Sequence, residues 1–129
     1  MAYLKEKLDL FEKALKSWEK FLKEPYSEIV RDAAIQRYEF NYELLWKCVK
    51  IFLKENEGVD CGSPKSCFRA LKGVIRLSEE EVLLCLRMVD DRNLSVHTYS
   101  ESLAKALYQR TKKYFEIAKK IFGEIHKMV

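Results

Sequence analysis

The sequence predicts an all-α protein, an antiparallel up-and-down four-helix bundle with one short extra helix, and three observations predict it. Apolar residues recur at steps of three and four along most of the chain, the spacing that gathers them on one face of a helix. Only four Gly and two Pro interrupt the 129 residues, so the chain has little from which to build hairpin turns or long loops. The breaks that do occur carry helix-capping residues.

In the first segment Leu4, Leu8, Phe11, Leu15, Trp18 and Leu22 alternate steps of four and three, predicting a helix to about Glu24, where Pro25 stops it. After the turn at Pro25-Tyr26-Ser27, a second long helix carries Ile35, Tyr38, Tyr42, Leu45, Val49 and Phe52, with another apolar row through Ala34, Leu44, Cys48 and Ile51. Two apolar faces call for several neighbours. The polar stretch ENEGVDCGS closes on Ser63-Pro64, an N-cap followed by proline at the first helical position, and predicts a short helix from 64 to about 71 with Gly73 as its C-cap. Ser78 and Glu81 form a capping box that opens a helix through VLLCLRMV to about Asp91. Ser100 caps a last helix with Leu103, Leu107, Tyr114, Ile117, Ile121, Ile125 and Met128 on one face, and Arg110 interrupts that row between Leu107 and Tyr114. No internal repeat is visible.

With 48% apolar residues in 129, residues 1–129 are expected to form one domain around a single core. Net charge is +4, but 24 basic residues are interleaved with 20 acidic ones, a pattern compatible with RNA binding that does not demand it. Cys48, Cys61, Cys67 and Cys85 include no C-x-x-C pair, and Cys48 and Cys85 lie in apolar runs, so reduced thiols and a cytoplasmic location are expected. Cys61 and Cys67, with five residues between them, do not make a metal site. MAYLKEKLDLFEK is too charged for a signal peptide, and no later stretch approaches the length of apolar sequence that spans a membrane. The scarcity of Asn and Gln (Asn41, Asn56, Asn93, Gln36, Gln109) leans towards a heat-adapted source.

The junction DDRNLSVHTY, residues 90–99, carries the chemistry. Arg92 offers a permanently charged, forked set of donors that matches phosphate oxygens. The His97 imidazole titrates near neutral pH and suits proton transfer to or from a ribose hydroxyl or a leaving oxygen. By residue type alone the pair reads more readily as an arginine meeting the last carbonyls of a helix and a solvated loop histidine than as catalytic groups.

The sequence R-x4-H-x-Y, met at Arg92, His97 and Tyr99 with Asn93 after the arginine, resembles the signature of the HEPN superfamily and, within it, of the HepT-like nucleotidyltransferase substrate-binding proteins. The stretches RDAAIQRYEFNYELLWKCVKIFL (31–53), SPKSCFRAL (63–71) and MVDDRNLSVHTYSE (88–101) are similar to that family as well, so the resemblance covers nearly the whole chain. It implies a homodimer encoded with a separate minimal nucleotidyltransferase, acting as a toxin and antitoxin pair. It further implies metal-independent RNA cleavage by Arg92 and His97 in a cleft shared by two subunits, with Asn93 supporting, no cofactor, and silencing by AMP transfer to Tyr99. The alternative is a non-catalytic substrate-binding subunit of a two-component nucleotidyltransferase.

Of the polar residues in the second helix, Arg31, Arg37, Glu39, Asn41 and Glu43 are expected to serve in structural ion pairs, although the resemblance allows some a place at the cleft or the dimer seam. His126 is expected to be exposed, and Trp18 and Trp46 to belong to the core rather than to RNA.

Overall fold

The computed structural model describes residues 2–97 and 100–129, apart from the side chains of Ala2 and His97. Among the described residues all regular structure is helical: α1 (Ala2–Leu22), α2 (Glu28–Glu57), α3 (Pro64–Leu71), α4 (Glu79–Leu94), a single 3-10 turn (Ser95–His97) and α5 (Glu101–Met128). The predicted helices are all present. α1 ends two residues before the expected Glu24, and α4 runs three residues past Asp91, so that Arg92 stands inside its last turn.

The starts of α2 to α5 are each capped by a serine, and for Ser63, Ser78 and Ser100 the sequence predicts it. The side chains of Ser27, Ser63, Ser78 and Ser100 accept hydrogen bonds from the backbone N–H groups of Val30, Ser66, Glu81 and Leu103, satisfying donors that a helix N-terminus leaves unpaired. Ser78 and Glu81 close a reciprocal capping box, and Ser63 and Ser66 close another that the sequence did not advertise, because serine takes the place of the usual Glu or Gln. The ends differ from expectation. Gly73 does not cap α3; Lys72 does, in right-handed conformation. The glycine that acts as a left-handed cap is Gly58, at φ 66°, where its N–H reaches back to the Lys54 carbonyl and the Val59 N–H to that of Leu53.

α2 is the central element: it packs against α1, α5 and α3, while α5 also contacts α1 and α4. The predicted seams meet in one core. Leu4, Leu8, Phe11, Leu15 and Trp18 of α1 join Tyr38, Leu45, Val49 and Phe52 of α2 and Leu107, Tyr114, Ile117, Ile121 and Ile125 of α5. Trp18 lies edge-on to Phe115 at 5.3 Å, and Tyr38 stacks on Tyr114 at 5.6 Å, geometries that aromatic pairs favour. Met128 departs from its expected row and is exposed in the final turn of α5. No helix among the described residues is long and apolar enough to cross a membrane.

The cysteines correct one expectation. Cys48 and Cys85 are free and buried, as expected of small apolar residues, and burial pushes both thiols up to about 12. Cys61 and Cys67 are not reduced thiols: they form a disulfide. The turn through Gly62-Ser63-Pro64 reverses the chain into α3 and brings their Cα atoms to 5.2 Å, inside the range a disulfide spans. The expectation failed because it looked for C-x-x-C spacing and did not fold the intervening turn.

Candidate functional site

The junction between α4 and α5 sits where the N-terminal end of α2 passes beneath it. Arg92, in the last turn of α4, is part-exposed, and its Nη1 lies 3.3 Å from Glu39 Oε2 of α2 and 3.2 Å from the Ser95 hydroxyl. Ser95 Oγ is 2.6 Å from the same Glu39 oxygen and 2.7 Å from the Arg92 carbonyl. A hydroxyl has one proton to give, and the charged carboxylate is the stronger acceptor, so the Ser95 proton is assigned to Glu39. The guanidinium, hydroxyl and carboxylate thus form a closed triangle linking two helices and the 3-10 turn.

The triangle opens onto a groove of roughly 430 Å³ lined by Asp32, Ala33, Ile35, Gln36, Glu39 and Ser95. Large apolar side chains stand exposed around this side: Ile29 at 82% and Phe40 at 56% on α2, Val96 at 64% in the turn that follows Ser95. Asn93 is exposed on α4. The backbone of His97 closes the 3-10 turn five residues after Arg92, but its side chain lies outside the description, as do Thr98 and Tyr99. The predicted pair Arg92 and His97 is therefore placed along one short segment, and the side-chain relationship within it stands as a sequence expectation.

Behind Arg92 the site rests on a buried polar network. Asp91 is 4% exposed and accepts two hydrogen bonds from Arg110 of α5, 2.7 Å from Nε and 3.0 Å from Nη2, together with one from the Tyr114 hydroxyl. Tyr38 donates to the Met88 carbonyl at 2.5 Å, one turn earlier on α4. Burial is the first cause that raises the Tyr38 and Tyr114 phenols, with Asp91 adding to both. The Asp91 hydrogen bonds raise the Arg110 guanidinium further, keeping it charged. Two adjacent residues thus do different work: Asp91 turns inward and anchors α4 to α5, while the part-exposed Arg92 reaches Glu39 and Ser95 beside the groove.

A second anchor frames the other side. Arg31, 4% exposed, pairs through Nη1 with Glu101 at the start of α5 (2.7 Å) and through Nε with Asp32 at the groove (2.9 Å). Of the other polar residues expected to be structural, Asn41 donates to the carbonyls of Ala14 and Arg37, Arg37 lies over the Phe21 ring, and Glu43 pairs with Lys47. Glu39 is the one that reaches the motif. Trp18 is buried and Trp46 packs against the core, while His126 is exposed as expected. Sequence reasoning missed Ser95 and Asp91. Asp91 had a signal: the apolar row of α4 is broken by one acid and that of α5 by one base, Arg110, a matched pair of interruptions.

The comparisons with known proteins decide the family. The profile described as nucleotidyltransferase substrate binding protein like matches residues 6–127. The chain belongs to the HepT-like nucleotidyltransferase substrate-binding family. This family member is also similar to a protein of known crystal structure from Thermus thermophilus, with 41% identity over 89% of this chain and 98% of that one and a TM-score of 0.85. No curated protein matches it.

Proposed function

We propose that the chain is the toxin subunit of a toxin and antitoxin pair: a metal-independent endoribonuclease acting through Arg92 and His97, silenced when a separate minimal nucleotidyltransferase transfers AMP to Tyr99. The observation that carries this reading is that the motif arginine is part-exposed and oriented by Ser95 and Glu39, two residues that line an open groove. In this reading residues 1–129 form one domain, its long helices an up-and-down antiparallel bundle, working in the cytoplasm.

Cleavage needs the ribose 2′-oxygen to attack phosphorus as the bond to the 5′-oxygen breaks, with one proton leaving the hydroxyl and one reaching the departing oxygen. An imidazole performs either transfer. Arg92 stabilises the charge gathering on the phosphate oxygens. One chain supplies a single motif histidine, so a homodimer supplies the second. The exposed Ile29, Phe40 and Val96 favour such a partner, since apolar side chains of this size clustered at one surface mark an interface. In the silencing step the Tyr99 phenolic oxygen attacks the α-phosphorus of ATP held by the partner, and pyrophosphate leaves. The added negative charge and bulk beside Arg92 then repel and block RNA.

Purified protein should cut RNA, and His97→Ala should abolish cutting without lowering the melting temperature. Co-expression with the nucleotidyltransferase should add AMP increments to the intact mass, absent in Tyr99→Phe. A mass unchanged by co-expression, with RNA left whole, overturns the proposal.

A second reading, a non-catalytic substrate-binding subunit, is favoured by the ion pair itself: Glu39 already neutralises the Arg92 guanidinium that RNA would need. It predicts a firm complex with the nucleotidyltransferase and no cleavage by any unmodified preparation.

A further inference from the structure

Along α5 one edge carries a repeat that the site does not use. Lys105, Lys112, Lys119 and His126 are spaced seven residues apart, and all four are exposed. Each lies against an aromatic ring: Lys105 over Tyr26 at 5.9 Å, Lys112 over Tyr108 at 5.2 Å, Lys119 over Phe115 at 6.0 Å, and His126 stacked on Phe122 at 5.5 Å. Three of the rings, Tyr108, Phe115 and Phe122, repeat at the same interval, each four residues before the lysine or histidine that lies against it. Rings beneath the stems hold long, otherwise mobile cations in register. At 1.5 Å per residue the line from 105 to 126 is about 31 Å long.

The head of this line meets the candidate site. Tyr26, 47% exposed, leans edge-on against Tyr108 at 5.5 Å beside Lys105. Glu101, one turn before Lys105, is bonded to Arg31, which is bonded to Asp32 on the groove wall. Of the acids near the line, Glu19 of α1 stands 3.9 Å from Lys119, Glu81 and Glu116 share a groove with Lys112, and Asp9 shares one with His126. Among the described residues Lys105 and Lys112 form no ion pair, which leaves the upper half of the line open to an anion.

We propose that this edge is a track for single-stranded RNA that feeds the groove beside Arg92; the identity of the strand rests on the ribonuclease reading. Regularly held cations follow a phosphate backbone, and a half-exposed ring at the head offers a stacking face to an unpaired base of any identity. Duplex would keep its bases from Tyr26.

The test is equilibrium binding of a fluorescein-labelled 2′-O-methyl oligonucleotide, which lacks the attacking hydroxyl and cannot be cut, across a salt series. Lys105→Gln/Lys112→Gln/Lys119→Gln should flatten the slope of log affinity against log salt by about 2, at ~0.7 per lost phosphate contact. Lys47→Gln/Lys50→Gln/Lys54→Gln, which removes the same charge from α2, should leave the slope unchanged. Tyr26→Leu should weaken binding several-fold at constant slope. Equal flattening by both triple variants, or no binding by the wild type, overturns the track. Binding that follows the α5 lysines with no cleavage of ordinary RNA upholds the track and removes the ribonuclease; cleavage with an unmoved slope does the reverse.

Discussion

Arg110 grips Asp91 with two parallel hydrogen bonds from the neighbouring helix, 2.7 and 3.0 Å long, and the carboxylate it holds is 4% exposed. Losing one member of a buried pair strands the other, at a cost of about 3 kcal/mol or more. Arg110 is 35% exposed on its side chain and can turn to water, so Asp91→Ala should cost about 3 kcal/mol in urea unfolding. Arg110→Ala leaves the carboxylate buried among tyrosines and should cost at least as much.

Arg92 is expected to act through its fork as well as its charge. Arg92→Lys keeps the cation but gives up the planar donor set, and RNA cleavage should fall by about 10²- to 10³-fold. Its ion pair with Glu39 is part-exposed on both sides, so stability should change by less than about 1 kcal/mol. A large loss of stability would place Arg92 in the scaffold instead.

The Cys61–Cys67 bridge closes a short loop at the α2 to α3 connection, and the chain-entropy relation gives about 2 kcal/mol for a loop of this length. Cys61→Ser/Cys67→Ser should lower stability by about that amount without moving RNA binding, since neither cysteine lines the groove beside Ser95 and Glu39. The intact mass under non-reducing conditions should be two hydrogens below that of the reduced chain. Alkylation of all four cysteines without reductant would remove the bridge from consideration.

At high pH the tyrosines set the limit. Burial holds the Tyr42 phenol up to about 12 and raises Tyr38 and Tyr114 as well, whereas an unfolded tyrosine ionises near 10. The fold favours the neutral phenol, so this stabilisation is complete below about pH 10 and drains away as pH climbs towards the folded values. Absorbance titration should show three late phenols whose ionisation coincides with loss of helical circular dichroism. Tyr42→Phe should make the decline between about pH 10 and pH 12 shallower.

Helix existence and the main core rows were legible because each helix carries a periodic apolar stripe and most begin at a serine; Leu4 to Trp18 and Ile117 to Ile125 read directly as core. Endings were harder. Gly58 and Gly73 both follow helical sequence, and only the conformation of the closing turn decides which one takes positive φ. Arg92 was legible as a motif residue, but its partners were not: Glu39 is fifty-six residues from Ser95, and a contact across that distance depends on how α2 crosses under α4. The disulfide escaped for the same reason on a smaller scale, since two cysteines become neighbours only after the proline turn is built.

The inward acid and the outward arginine are consecutive in the chain, so one residue of rise and about 100° of rotation separate a buried anchor from a surface cation. Deleting a single residue between Ser78 and Asp91 would turn the guanidinium to the place that faces the tyrosines and the carboxylate to the exposed place of Asp90, and inserting one would turn the carboxylate out to the place of the arginine; either change breaks the anchor. The span of α4 is thereby set by two opposed demands, and exchanging a side chain in this stretch disturbs them less than changing its length.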